Sequence, residues 1–413
     1  MKNFIRQIRN RSFFHFQRIT ALVMVVASVA VYGFFRIYHN NTLGRPVAET
    51  VKKSEGLSQE ALALIASACS GVKNSDKFCW ESLFKKTLRQ RGVDGALDLL
   101  AHAYDTTKAV EDSTCHDLTH FIGREAYKIF ASGKSFPVSS KTAYCNYGFY
   151  HGVIEAMVAA KKPLTDAKKF CDYIDAAIGK DAPEARFQCY HGIGHGAANN
   201  HDTRTWGNEG AMLAPALAIC NEISQSREER WRCASGVFHG LGRFYREHLY
   251  NLVMRKDDPF WFCKTQSRDE YKETCYRELV SSVGLISDGD PANIVKLIDT
   301  IIEDGYAQET MRTWGVPNSA FCKIVPERLR IPCIESIARQ HIQSGKPGLE
   351  VENGIQFCQE TVLRVDEKTS CFAYVFYWNA RWNVQKKATS VCSVVHTGYR
   401  GLCYEQIQKN NSH

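Results

Sequence analysis

No cysteine precedes Cys69 and no acidic residue precedes Glu49, although the chain has 413 residues and 16 cysteines. The first absence divides a thiol-free N-terminal stretch from a cysteine-rich remainder. The second leaves Lys2, Arg6, Arg9, Arg11, Arg18, Arg36 and Arg45 unopposed, so the formal net charge of +8 is local and the rest of the chain is close to neutral. That distribution argues against a nucleic-acid partner, which needs a basic face on the folded body. Alternating apolar–polar runs are missing, which argues against β-sheet. The C-x-x-C-H haem motif, the phosphate loop, the dinucleotide fingerprint and the nucleophile elbow are missing too.

From Ile19 to Phe35 the chain is almost continuously apolar and uncharged, bounded by Arg18 and Arg36. A helix of about 17–20 such residues can cross a bilayer, and a basic flank stays on the cytosolic side. Tyr32, Phe34, Phe35 and Tyr38 stand where a cleavable signal peptide needs small residues. The sequence therefore predicts a cytosolic basic tail over 1–18, a transmembrane helix over 19–38 and a stalk over 39–56. An extracytoplasmic helical domain follows over 57–408, then a short tail over 409–413. An even number of cysteines confined to the exported part implies disulfides in an oxidising compartment: periplasm, extracellular space or secretory lumen.

Beyond the stalk, apolar residues recur every three or four positions, the signature of helices. Ser226-Arg227-Glu228-Glu229 and Ser267-Arg268-Asp269-Glu270 have the form of capping boxes, each shortly before a cysteine. Aligning the cysteines exposes a repeat. A first helix ends near an aromatic or aliphatic residue plus cysteine, and the second cysteine falls in the opening turns of the next helix. This spacing pairs Cys69 with Cys79, Cys171 with Cys189, Cys220 with Cys233 and Cys263 with Cys275. It likewise pairs Cys322 with Cys333, Cys358 with Cys371 and Cys392 with Cys403, leaving Cys115 and Cys145 to join each other. Helical hairpins at a period of tens of residues are those of a stacked solenoid. Over about residues 57–408 the arrangement resembles the tetratricopeptide and Sel1-like repeat class in architecture. The expected fold is therefore all-α, a disulfide-stapled αα-hairpin repeat, with histidine-rich repeats over about 112–250 and C-terminal repeats over about 251–408.

Four of the second helices carry a polar stripe at four-residue steps. It reads His116, His120 and Arg124 after Cys115, and Tyr147, His151 and Glu155 after Cys145. It continues as His191, His195 and Asn199 after Cys189, and Ser235, His239 and Arg243 after Cys233. Residues four apart share one helix face, and glycines at 148, 152, 192, 194, 196, 236 and 240 let a neighbouring backbone approach. Imidazoles in this pattern suit zinc, iron or copper. The expected triads are His116, His120 and His151, and then His191, His195 and His239. Asp117 and Glu155 are the carboxylates nearest in sequence, fit to ligate, to orient a ring or to act as a general base. Tyr147, Asn199, Arg124, Arg243 and Ser235 are expected to line the groove. Deoxyhypusine hydroxylase, a helical-repeat metalloenzyme, offers an analogy of architecture, but its His-Glu pairs are not reproduced here.

The preferred reading is a membrane-anchored protein with a transition-metal site for hydrolytic or oxidative chemistry. The alternative is a non-catalytic scaffold that binds a peptide, glycan or protein on its concave face. The aromatic run Phe372, Tyr374, Phe376, Tyr377, Trp378 and Trp382 is a candidate contact surface for that alternative. Asp288-Gly289-Asp290 has the D-x-D form of glycosyltransferases without their alternating strands, and Pro291 points to a turn.

Overall fold

The computed structural model describes residues 58–70, 77–106, 114–132, 136–199, 202–287, 290–302, 304–316, 318–343, 345–359, 363–382 and 385–411. All of them belong to one compact unit, Ser54–His413. The basic tail, the transmembrane helix over 19–38 and the stalk over 39–56 lie outside the described residues. Among the described residues no helix is long and apolar enough to cross a membrane.

Every regular element described is helical. The first eight are α1 (Gln59–Ser70), α2 (Lys77–Thr106, kinked at Gly92), α3 (Thr114–Ala131), α4 (Tyr144–Ala159), α5 (Leu164–Ile178), α6 (Ala185–Ala198), α7 (Glu209–Ile223) and α8 (Arg227–Arg246). Nine follow: α9 (Trp261–Lys264), α10 (Asp269–Leu279), α11 (Pro291–Ile301), α12 (Asp304–Thr313), α13 (Glu327–Gln343), α14 (Glu350–Cys358), α15 (Val365–Trp382), α16 (Gln385–Val394) and α17 (Thr397–Asn411). Helices α3, α4, α6, α8, α10, α12, α13, α15 and α17 pack side by side in that order. Helices α5, α7, α9, α14 and α16 pack on α6, α8, α10, α15 and α17 respectively.

All eight disulfides join the pairs that the spacing predicts, and no cysteine is free. Eight such bonds suit an oxidising, extracytoplasmic setting.

The regularity of a tetratricopeptide or Sel1-like solenoid is not shown. Among the described residues, a single 3-10 turn, Ser140–Ala143, is the one regular element between α3 and α4, where the units of α6, α8, α10, α15 and α17 have an outer helix. Helix α9 is one turn long, and Cys171 sits in the middle of α5 rather than at its end. The row also bends back on itself. Arg381, at the end of α15, donates from Nε and Nη2 to Glu184 Oε2 at 2.8 Å, immediately before α6. The Trp382 ring lies 6.0 Å from that of Tyr147.

Local signals are met in part. Ser226 caps α8 by accepting from the Glu229 amide, as its capping box predicts. Ser267 does not cap α10, which begins two residues later with Arg268 at the cap and no side-chain bond there. Asp290 accepts from the Ala292 amide and Pro291 opens α11, so this half of the D-x-D sequence is a helix start.

Candidate metal centre

The site is created by how closely α3, α4, α6 and α8 approach. A Cβ on Gly194 would overlap the Cys233 carbonyl oxygen, and one on Gly152 would overlap the His120 carbonyl. Only hydrogen fits there, so α6 meets α8 and α4 meets α3 backbone to backbone. Side chains one turn apart on each helix then converge across the seams. The six imidazoles of His116, His120, His151, His191, His195 and His239 form one continuous cluster. Along it, ring centroids lie 4.7 Å apart for His116–His120, 5.0 Å for His120–His151, 4.8 Å for His151–His191, 5.1 Å for His191–His195 and 4.6 Å for His195–His239.

Outer partners decide which nitrogen faces inward. His116 Nδ1 donates to the Cys145 carbonyl at 2.8 Å, and His120 Nδ1 faces Glu155 Oε1 at 3.4 Å. His239 Nδ1 donates to Glu278 Oε2 at 3.1 Å. His191 Nδ1 donates to Ser235 Oγ at 3.1 Å, and that hydroxyl donates onward to Glu278. With Nδ1 committed outward, a neutral ring presents a bare Nε2 lone pair to the cluster.

Two such atoms, His116 Nε2 and His120 Nε2, stand 3.0 Å apart, and His151 Nδ1 is 3.2 Å from His120 Nε2. Tetrahedral coordination with bonds of about 2.0–2.1 Å puts nitrogen ligands about 3.3 Å apart. The observed separations are close to that spacing and also within hydrogen-bond range. Two groups offer ligand atoms all within 4.8 Å of one another: His116, His120 and His151, and His151, His191 and His195. Either triad could hold a metal ion.

The electrostatics favour neutral rings, the form that binds metal. Burial pushes His116 down to about 3, against the pull of the Cys145 carbonyl. Burial also pushes His191 to about 3, against the opposing charge of Glu278. His151 and His195 fall well below the usual histidine value, through burial and then through the neighbouring imidazoles. For Glu278 burial works upward, but the hydrogen bond and charge of His239, with His191 and Ser235, outweigh it and hold the carboxyl far below its usual range. Glu155 is lowered in the same way, burial being overcome by His120, Arg124 and Arg243.

No family model, curated protein or solved structure matches this chain. The site therefore stands on its own geometry.

The first predicted triad is brought together as expected. The second takes His151 in place of His239, whose side chain is 39% exposed and tied to Glu278. Glu155 sits behind His120, on its Nδ1 side, and is held by Arg124 Nη1 at 3.2 Å. It orients a ring and does not face the inward nitrogens. Asp117 is exposed on α3 and, among the described residues, has no hydrogen bond or ion pair. Ser235 supports His191, while Arg243 contributes its charge beside His195 and Glu155.

Two predicted groove residues are placed elsewhere. Tyr147 precedes the regular part of α4, because Cys145, Asn146 and Tyr147 all adopt left-handed backbone with φ of 53°, 57° and 62°. Its ring is buried against Tyr150 and Trp382 instead. Asn199 takes extended backbone at the end of α6 and does not continue the stripe. The residue that sequence reasoning missed is Glu278. It lies three positions after Cys275, whereas in α4, α6 and α8 the stripe begins two positions after the cysteine, a place that Arg277 occupies in α10.

Away from the histidines, a cavity of about 690 Å³ opens among α8, α10, α12, α13 and α15. Trp231, Tyr374, Tyr377 and Trp378 line it together with arginine–glutamate pairs such as Arg277–Glu309 and Arg312–Glu335. Of the predicted aromatic run, Phe372 and Phe376 are core residues.

Proposed function

We propose that this is a transition-metal-dependent protein of an oxidising compartment, whose imidazole cluster holds the metal and serves oxidative chemistry. One observation carries the reading. The Nε2 atoms of His116 and His120 face each other at 3.0 Å while the Nδ1 atoms of both rings point to outer acceptors. A proton on His120 Nε2 can be shared poorly between His116 and His151; a cation satisfies all three nitrogens at once.

Hydrolysis assisted by a carboxylate base would place that base beside the metal-facing nitrogens, and the two candidates are behind a ring (Glu155) or exposed (Asp117), which leaves metal-bound hydroxide as the hydrolytic route. Oxidative chemistry needs no such base. A ligand set of imidazole without thiolate suits copper or iron, and zinc as a redox-silent substitute. The membrane anchor at residues 19–38 belongs to this proposal on the strength of the sequence.

Elemental analysis of the full-length protein tests the reading, with His120→Ala and His195→Ala for comparison. Metal present in the parent and reduced in both variants, with helical circular dichroism retained, is the expected result. A metal-free parent, or variants that keep full metal content, would defeat it.

The cavity favours a second reading, a scaffold that holds a peptide or glycan. Its four aromatic side chains stand beside charged pairs able to hydrogen-bond a polar ligand. Quenching of tryptophan fluorescence by such ligands, abolished in Trp378→Ala, would be its signature.

A further inference from the structure

Two groups of candidate ligands share one residue. His151 belongs to the triad with His116 and His120 and also to the triad with His191 and His195. The two nitrogens of an imidazole point to opposite sides of the ring, so one ion cannot take both. His151 Nδ1 faces His120 Nε2 at 3.2 Å. His151 Nε2 is buried with no hydrogen-bond partner among the described residues, and so is His195 Nε2. The His151 and His195 rings stack at 5.3 Å with an interplanar angle of 28°. A desolvated ring nitrogen left unpaired is costly, and here two neighbouring rings each carry one.

The outer anchoring follows the same division. His116 and His120 on one side, and His191 on the other, are each fixed from outside by the Cys145 carbonyl, Glu155 and Ser235. His151 lies between them, with its Nδ1 turned toward the first set. A ring placed so is positioned from inside the cluster.

We infer that the cluster is a dinuclear centre in which one ion is held by His116, His120 and His151, a second by His151, His191 and His195, and the His151 ring bridges them through Nδ1 and Nε2. The inference rests on the metal reading above and adds the second ion and the bridge. When the second ion binds, the remaining ring proton of His151 leaves to solvent and both nitrogen lone pairs become metal bonds. Nothing is oxidised or reduced in that exchange, and no further reactant is needed.

Copper(II) is the probe, because it binds imidazole tightly and because two copper(II) ions joined through one imidazole couple their spins. The full-length protein, stripped of metal and reloaded with copper(II), should bind two ions per chain and give a spin-coupled paramagnetic resonance signal. His116→Ala and His195→Ala should each retain one ion with an ordinary mononuclear signal. His151→Gly should lose the coupling, and free imidazole should restore it. Circular dichroism checks that each variant is folded; should His151→Gly fail that check, the parent signal and the two flanking variants decide. Two uncoupled ions, or a single ion, in the parent would overturn the bridge while leaving the metal reading intact. No bound copper at all would overturn both.

Discussion

Glu278 serves two imidazoles with one carboxylate. Its Oε2 accepts from His239 directly, and its Oε1 accepts from Ser235, which in turn accepts from His191. Outer carboxylates of this kind fix the ring tautomer and raise ligand basicity, and their loss costs about 10–100-fold in metal affinity. Glu278→Gln should therefore weaken metal binding by about that factor, measured by competition with a chelator, with little change in helicity. An unchanged affinity would remove Glu278 from the site. The buried rings also set a pH dependence. His116 and His191 titrate at about 3 in the folded chain, against 6.5 for the ordinary side chain. Between those values the unfolded chain takes up protons that the folded chain refuses, so stability falls as pH drops from 6.5 toward 3 and rises in the reverse direction. Thermal melting of the metal-stripped protein should show that decline, and His191→Gln should make it shallower. A flat profile would mean that the rings are not desolvated. The histidines themselves were legible in the sequence because their four-residue steps survive into helix faces. Glu278 was not, since its helix presents a different register to the seam.

Helix α6 shows what the elements contribute. Gly194 is one of several glycines around the stripe, yet the spacing alone does not say which of them faces a backbone. That depends on where two helix axes cross, and the crossing puts Gly194 against Cys233 of α8. Gly194→Ala forces the two helices apart, and overpacking of this kind costs about 1–3 kcal/mol. The expected outcome is a lower unfolding midpoint together with loss of metal from the His191–His195 side. Gly210→Ala in α7, where an added methyl meets only the Asn208 side chain, serves as the control and should be neutral or stabilising by up to about 1 kcal/mol. If the two substitutions behave alike, close approach at Gly194 is not what shapes the site. The same level of structure explains why Tyr147 was misplaced. Periodicity extrapolates a helix backward from His151, but the backbone before Gly148 is left-handed and turns the preceding residues away.

At the scale of the whole molecule, the contact that matters most joins residues far apart in the chain. Glu184 is fully buried and receives both Arg232 and Arg381, the latter 197 positions away. Breaking a buried ion pair from one side costs about 3–5 kcal/mol. Because Arg232 still pairs with Glu184, Arg381→Ala should lower the unfolding free energy by less than that, about 1–2 kcal/mol in urea, and the effect should largely vanish in a Glu184→Ala background. Equal losses in both backgrounds would show that the two ends of the row do not depend on this link. No local pattern announces such a contact, so the sequence supported a row of helices without indicating that it bends back. The cysteines were legible for the opposite reason: taken in chain order, the first bonds to the second, the third to the fourth and so on, with partners between 10 and 30 positions apart. Sixteen thiols admit about two million complete pairings, and this chain uses the one that follows simple order of appearance. A polypeptide whose cysteine-rich part enters an oxidising space in chain order can therefore be oxidised correctly as it emerges, every second thiol capturing the one just ahead of it, with no need for a later enzyme to reshuffle mistaken bonds.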